Sequence, residues 1–327
     1  MKGTATPEEV RSHAGETLRS IVENIQRVIV GKETVIRNLM LALATGRHVL
    51  VEDVPGVGKT TLIKSLARSL NLSFRRIQFT PDLLPSDITG TSVLDPDTSG
   101  FRFRKGPVFH HVVLADEINR ASPKTQSSLL ECMEEGQVTV DGVTHPLPKP
   151  FLVMATQNPI EYEGTFPLPE AQLDRFALSL QMGYPGAGEE REMMIRIGRS
   201  SPLDSLEAVA EAQDIARLGP AVEDIHASEL VMDYIIAINR ATRNNSDIYL
   251  GASPRASLVL LKLSQALALY QGMEYVLPDH VKEMAVPVLR HRLILTPEAR
   301  WDNRTPEEVI REILRRVTAP ASSEVIS

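Results

Sequence analysis

A chain of 327 residues, 43% hydrophobic and 24% charged, is long enough for a nucleotide-binding domain plus a smaller one and has an ordinary globular composition. Its formal net charge of −7 argues against nucleic acid as the main partner, and its single cysteine, Cys132, rules out a disulfide framework or a thiolate metal cluster. The first residues lack the apolar stretch of a signal peptide, and the longest apolar run, 258–269, is broken by Lys262 and Gln265, so a cytoplasmic protein without a membrane span is expected.

Thr6-Pro7-Glu8-Glu9 forms a capping box with proline at the first helical position, and Val10, Ala14, Leu18, Ile21 and Ile25 continue it at helical spacing. A second helix is predicted over 33–44. It leads to an apolar strand at 48–51 and then to Glu-Asp-Val-Pro-Gly-Val-Gly-Lys-Thr-Thr at 52–61, a P-loop in its required strand, loop and helix context. The backbone N–H groups of residues 56–60 and the positive end of the following helix make an anion site there. Pro55, Gly56, Val57, Gly58, Lys59, Thr60 and Thr61 are therefore assigned to ATP or ADP. Lys59 would bridge the β- and γ-phosphates, and the Thr60 hydroxyl would ligate Mg²⁺. Asp53 stands where the motif has its first glycine, and aspartate's tolerance of a left-handed backbone is expected to preserve the turn.

A second strand is predicted at 74–79. Residues 86–106 break the alternation of strand and helix and read as a hairpin insertion, with strands near 91–94 and 101–104. The Phe101 to Lys105 alternation suits either a half-buried hairpin or an aromatic and basic nucleic-acid surface; the acidic whole favours the hairpin. His110 and His111, adjacent at a strand entrance, would point to opposite faces and cannot share a metal. The apolar strand 112–115 ends in Asp116-Glu117, which after a P-loop reads as a Mg²⁺-holding Asp116 and a water-activating Glu117. Ser122-Pro123 opens a helix ending at Gly136 that carries Cys132 as a buried apolar side chain. A second hairpin is predicted within 137–150, turning at Asp141-Gly142. The strand 151–155 ends in Thr-Gln-Asn-Pro, making Asn158 a candidate to orient the lytic water.

After a short last strand at 177–182, the stretch 183–188 is the one segment dense in glycine and proline and reads as a hinge. Beyond it strand signals nearly stop, and helices are predicted at 189–198, 208–218, 228–242, 253–270, 278–289 and 306–317. The predicted division is an α/β core over 1–184 and a helical lid over 185–327, ending in a disordered tail from 318.

P-loop, Asp-Glu strand, Asn158, Asp-Arg-Phe at 174–176 and Ser-Pro-Arg at 253–255 follow in an order that resembles the AAA+ ATPases. The P-loop sequence itself, Asp-Glu-Ile-Asn-Arg at 116–120 and Glu-Gly-Thr-Phe-Pro-Leu-Pro-Glu-Ala-Gln-Leu-Asp-Arg-Phe at 163–176 are similar to those of the MoxR family, in which Asp53 is the usual residue. The resemblance covers about residues 25–292. It implies a parallel sheet flanked by helices, a helical lid, and a homo-oligomeric ring, usually a hexamer, with ATP between subunits. It further implies that Arg175 reaches a neighbour's site, that Arg255 senses the γ-phosphate, and that the segment 28–32, with Val30 and Gly31, packs on adenine. Both hairpins would face the central pore. A von Willebrand factor A domain protein and client proteins in chaperone-like maturation are the implied partners. Two other readings are a nucleotide-gated scaffold with slow hydrolysis and a DNA-associated motor.

Overall fold

Thr6 caps α1 (Pro7–Gln26): its hydroxyl accepts from the Glu9 N–H, and the Glu9 carboxylate accepts from the Thr6 N–H. In the computed structural model, which describes residues 6–96, 100–158, 164–197 and 202–321, α2 (Glu33–Ala44) follows and leads to β1 (Val49–Glu52). Then come α3 (Lys59–Ser69), β2 (Phe74–Gln78), α4 (Pro85–Thr89) and a hairpin of β3 (Gly90–Asp95) and β4 (Gly100–Lys105). The chain continues through β5 (Val112–Asp116), α5 (Pro123–Glu135), a second hairpin of β6 (Gln137–Val140) and β7 (Val143–Pro146), β8 (Leu152–Gln157), α6 (Glu170–Leu173) and β9 (Leu178–Leu180).

Five of these strands form one parallel sheet in the order β2-β5-β8-β1-β9. Its inner strands are apolar on both faces because both are covered, whereas the edge strand β2 exposes Arg75, Arg76 and Gln78. Val49, Val51, Val112, Leu114, Leu152 and Met154 join a core with α1, α2 and α3, whereas Leu50, Val113, Ala115, Val153 and Ala155 join a second core with α5. Register aligns the carboxyl ends of the strands, with Gln78 beside Asp116 and Val51 beside Thr156. That edge is where a sheet of this kind meets its ligand.

Both hairpins form where predicted. Asp141 (φ 51°) and Gly142 (φ 78°) make the two-residue turn of the second. The two insertions pack on each other: the Phe103 ring stacks on His145 with centroids 4.2 Å apart, and the Ser92 hydroxyl donates to Asp141 Oδ2 at 2.5 Å. At the root of the first hairpin, a Cβ on Gly106 would lie 2.3 Å from the Ile88 carbonyl oxygen, so this close backbone crossing requires glycine.

The remainder is mostly helical: α7 (Ala187–Ile197), α8 (Ala212–Glu223), α9 (Glu229–Arg243), α10 (Pro254–Tyr270), α11 (Pro278–Leu289), α12 (Pro297–Trp301) and α13 (Pro306–Arg316). Two expectations are corrected here. The helix predicted at 208–218 begins at residue 212, where the Glu211 N–H is capped by Asp214 at 2.9 Å; Val209 and Ala210 instead donate to the Ser69 carbonyl as extended chain. The lid also contains a small antiparallel pair, β10 (Ile248–Leu250) with β11 (Ile294–Leu295), too short to show a period of two. The predicted tail beyond residue 321 lies outside the described residues.

Residues on the two sides of the 183–188 segment share one core. Leu18 and Ile21 of α1 belong to the same buried cluster as Leu260 and Leu263 of α10 and Met284 of α11. No helix among the described residues is long and apolar enough to cross a membrane.

Candidate functional site

The P-loop crosses the carboxyl edge of β1. Gly56 (φ 85°) and Gly58 (φ 91°) adopt left-handed backbone, and Gly58 is the residue before the first turn of α3, so the N–H groups of that turn face the cleft. Nothing lies within 4 Å of where a Cβ on Gly56 would sit. Lys59 Nζ donates to the carbonyl oxygens of Asp53 (2.9 Å) and Val54 (3.2 Å). Asp53 departs from expectation: it is not among the residues with positive φ, so this position needs no left-handed backbone. Its carboxylate has a structural task instead. Buried, it accepts from the Val54 N–H at 2.9 Å, the Met182 N–H at 2.6 Å and the Gly183 N–H at 2.7 Å, tying the P-loop to the end of β9.

Two adjoining cavities of about 370 Å³ each open at this edge. One is mainly apolar, walled by Val28, Ile29, Val30, Val57 and Met182. Gly31 stands behind this wall; a Cβ there would collide with the Glu189 carboxylate of α7, which accepts from the Gly186 N–H at 2.9 Å. The other cavity is polar and brings together Pro55, Lys59, Thr60, Thr61, Asp116, Glu117 and Asn158. The residues assigned to phosphate, metal and water thus share one cleft. A hard divalent cation asks for oxygen donors, and Thr60 and Asp116 supply them.

Glu117 occupies a left-handed conformation (φ 57°, ψ 50°) between β5 and a short 3-10 turn, Ile118–Arg120. The Thr156 hydroxyl holds it there, accepting from the Glu117 N–H at 2.9 Å while donating to Asp116 Oδ1 at 2.6 Å. Asp116 Oδ2 accepts from Arg76 Nε (3.0 Å) and Nη2 (2.6 Å). Arg76 Nη2 also reaches Gln78 Oε1 at 2.6 Å, and Gln78 Nε2 donates to Glu117 Oε2 at 2.8 Å, where Arg120 Nη1 arrives at 3.1 Å. Sequence reading missed Arg76, Gln78, Arg120 and Thr156. Alternation was the signal that could have found the first two, because the pairing of Gln78 with Asp116 puts Arg76 and Gln78 on the face of the sheet that Asp116 shares.

Arg175 and Arg255 do not line either cavity. They meet each other instead: Arg175 Nε lies 3.1 Å from Glu134 Oε2, and Arg255 Nη2 lies 2.9 Å from Glu134 Oε1. Beside them Asp174 accepts from buried Arg292 Nε at 2.6 Å and from the Ser253 hydroxyl at 2.8 Å. Arg292 spends its remaining donors on the carbonyls of Asp174, Phe176, Ala177 and Val288, and His291 Nε2 meets the Phe176 carbonyl oxygen at 3.1 Å. Burial and the nearby Arg255 push the Arg47 guanidinium down. Arg175 and Arg255 thus share the single carboxylate of Glu134, beside the buried Arg292–Asp174 pair.

Burial pushes the Cys132 thiol up to about 12, which suits a packing residue rather than a nucleophile. His110 and His111 precede β5 in a turn and do not sit on a strand; they bond the Pro107 carbonyl (2.9 Å) and the Ser73 hydroxyl (2.8 Å) respectively. Among the described residues no group of three or more His, Cys, Asp or Glu side chains is placed to hold a metal by itself.

Residues 48–178 match the ATPase family associated with various cellular activities, and residues 240–313 match the AAA lid domain. YeaC of Bacillus subtilis is 48% identical over 94% of this chain and 97% of its own length. Chaperone MoxR1 of Mycobacterium tuberculosis is 42% identical over 94% of this chain and 84% of its own. A crystal structure from Cytophaga hutchinsonii, of a protein named there as a candidate ATPase, superposes with a TM-score of 0.89 at 39% identity, covering 96% of this chain and 98% of that one. With a P-loop and an Asp-Glu strand end in one cleft, a helical lid following in the chain, and these relatives matching along nearly their whole length, the chain belongs to the MoxR family of AAA+ ATPases.

Proposed function

We propose that the chain is a ring-forming, Mg²⁺-dependent ATPase whose hydrolysis drives chaperone-like remodelling of partner proteins, and that each site is completed by Arg175 and Arg255 of the neighbouring subunit. The observation that carries this reading is the separation of the two arginines from their own phosphate cleft and their pairing on Glu134. A fork-shaped, permanently charged side chain suits a phosphate oxygen, and two guanidiniums sharing one carboxylate favour a further anion. Neither arginine lines the phosphate cleft of its own chain. A neighbour's γ-phosphate would supply that anion.

The P-loop N–H groups and Lys59 would hold the β- and γ-phosphate oxygens, and Val30 and Val57 would pack on the adenine. Mg²⁺, when bound, neutralises charge developing on the transferred phosphoryl group, and Thr60 and Asp116 are the residues to hold it. Glu117 would accept the proton of the attacking water, with Asn158 orienting that water across the cleft. The hairpins would grip a client: Phe101 and Leu94 at the first and Val143 at the second remain exposed. Phe103 is turned onto His145 and is not free to stack on a base, which weighs against a nucleic-acid surface. The net charge of −7 weighs the same way.

Mixing tests the arrangement. Neither Lys59→Ala nor Arg175→Ala should turn over ATP alone, since an arginine finger is worth on the order of 10³-fold in rate. Co-assembled, some interfaces join the intact P-loop of one variant to the intact arginine of the other, so activity should return. Rings shown by differential tags to contain both variants, yet inactive, would rule out action across the interface.

A further inference from the structure

Arg76 belongs to two cavities at once. On one side it lines the phosphate cleft with Asp116 and Glu117; on the other it lines a larger groove, about 610 Å³, between β2, α4 and the root of the first hairpin. The basic walls of that groove are Arg75, Arg104 and Lys105, opposed by Asp87, whose carboxylate is engaged in capping the Leu84 N–H at 2.9 Å. Arg75, Arg104 and Lys105 are exposed and form no ion pair among the described residues. β2 is also the edge of the sheet, pairing with β5 alone, so its outer N–H and C=O groups make no ladder bond.

We propose that this groove takes an extended acidic segment of a partner protein, laid against the edge of β2, and that its carboxylates draw Arg76 away from Asp116. The chemistry favours a peptide over a nucleic acid. An open strand edge offers backbone partners that only another polypeptide can pair with, whereas the one aromatic ring lining the groove, His110, is half-buried and tied to the Pro107 carbonyl. The proposal rests on reading the adjoining cleft as a Mg²⁺-dependent ATPase site. In that cleft both Asp116 oxygens are already taken, Oδ1 by Thr156 and Oδ2 by two donors of Arg76. A cation approaching Asp116 must therefore compete with Arg76 for Oδ2. Arg76 further holds Gln78, which shares Glu117 Oε2 with Arg120, so its departure frees the metal ligand and loosens one of the two contacts on the base. Occupation of the groove thus raises the apparent affinity for Mg²⁺.

The test uses the full-length protein with a fluorescein-labelled oligoglutamate, read by anisotropy at low salt without nucleotide. The acidic peptide should bind, and the double variant R104E/K105E should lose that binding. An equal affinity for oligoglutamine, or a higher one for oligothymidylate, would overturn the groove as an acidic-peptide site. In ATP turnover, the Mg²⁺ concentration for half-maximal rate should fall about fivefold when oligoglutamate is added, the worth of one partly exposed ion pair. Arg76→Ala should show the lowered value without peptide and no further response, and Arg76→Lys, which keeps the charge without the fork, should fall between. Peptide binding that leaves the Mg²⁺ dependence unmoved would overturn the role of Arg76. Absence of turnover in every protein would defeat the hydrolysis reading alone, because the same Mg²⁺ titration read by binding of a fluorescent ATP analogue still decides the proposal.

Discussion

Glu117 occupies a backbone region that non-glycine residues rarely enter, and such strain persists only where surrounding contacts impose it. Here the imposing contact is one hydroxyl: Thr156 receives the Glu117 N–H and orients Asp116 at the same time. The strained turn aims the carboxylate into the cleft. Glu117→Gln should therefore bind ATP about as well as the unmodified protein while turnover falls by on the order of 10²-fold or more, since only the proton acceptor is lost. Calorimetric titration beside a phosphate-release assay decides it, and a parallel loss of affinity would remove Glu117 from the role of base. At this scale the sequence was most legible where residues are adjacent: the P-loop and Asp116-Glu117 announce themselves. Arg76 and Gln78 could not be read locally, because they act on acids about forty positions away. Arg292 is more distant still, buried 118 positions from the Asp174 it pairs with, a location no local pattern reveals for a guanidinium.

Among the elements, β1 is fixed from beneath by the histidine that precedes it. His48 Nδ1 accepts from the Val153 N–H of β8 at 3.1 Å, so Nε2 carries the proton and donates to the Met133 carbonyl of α5 at 3.0 Å. Complete burial pushes this imidazole down to about 4, and His291 is likewise driven well below its ordinary range by burial and by Arg292. A depressed histidine binds fewer protons folded than unfolded, so its contribution is complete above the ordinary 6.5 and is lost as pH falls toward 4. For His48 the gap amounts to ~3 kcal/mol. Urea midpoints should thus drop between pH 7 and pH 4.5, and less steeply in His48→Gln; an identical slope in the variant would mean other groups set the acid limit. The hairpins and long helices were legible because Asp-Gly turns and proline starts are local signals. The start of α8 and the β10–β11 pair were not. The first depends on where the 208–211 segment docks against α3, and the second has strands of only two or three residues.

Across the whole molecule, the core that begins under α1 continues without interruption into α10 and α11, so the lid is braced against the same buried surface as the P-loop helix. The sequence reads as a hinge there because glycine and proline are dense, and the tertiary packing adds how its start is held. Met182 and Gly183, at that start, hang on the Asp53 carboxylate. Replacing Asp53 with glycine, the residue common to P-loops in general, removes these bonds while leaving a backbone that needs no side chain. Nucleotide binding should survive Asp53→Gly within about threefold, whereas stability should fall by about 1–3 kcal/mol, the cost of orphaning buried N–H groups. Thermal denaturation with and without nucleotide measures both, and unchanged stability would show the carboxylate to be dispensable. The wider consequence concerns force. An ATPase delivers work only through parts stiff enough to carry it, and here the nucleotide loop and the start of the lid share, beside their common core, a short buried carboxylate. Under the proposed remodelling activity, tension transmitted to the lid would be felt within a few bonds of Lys59, so a stalled client would act on the grip for nucleotide and slow the cycle without a separate sensor.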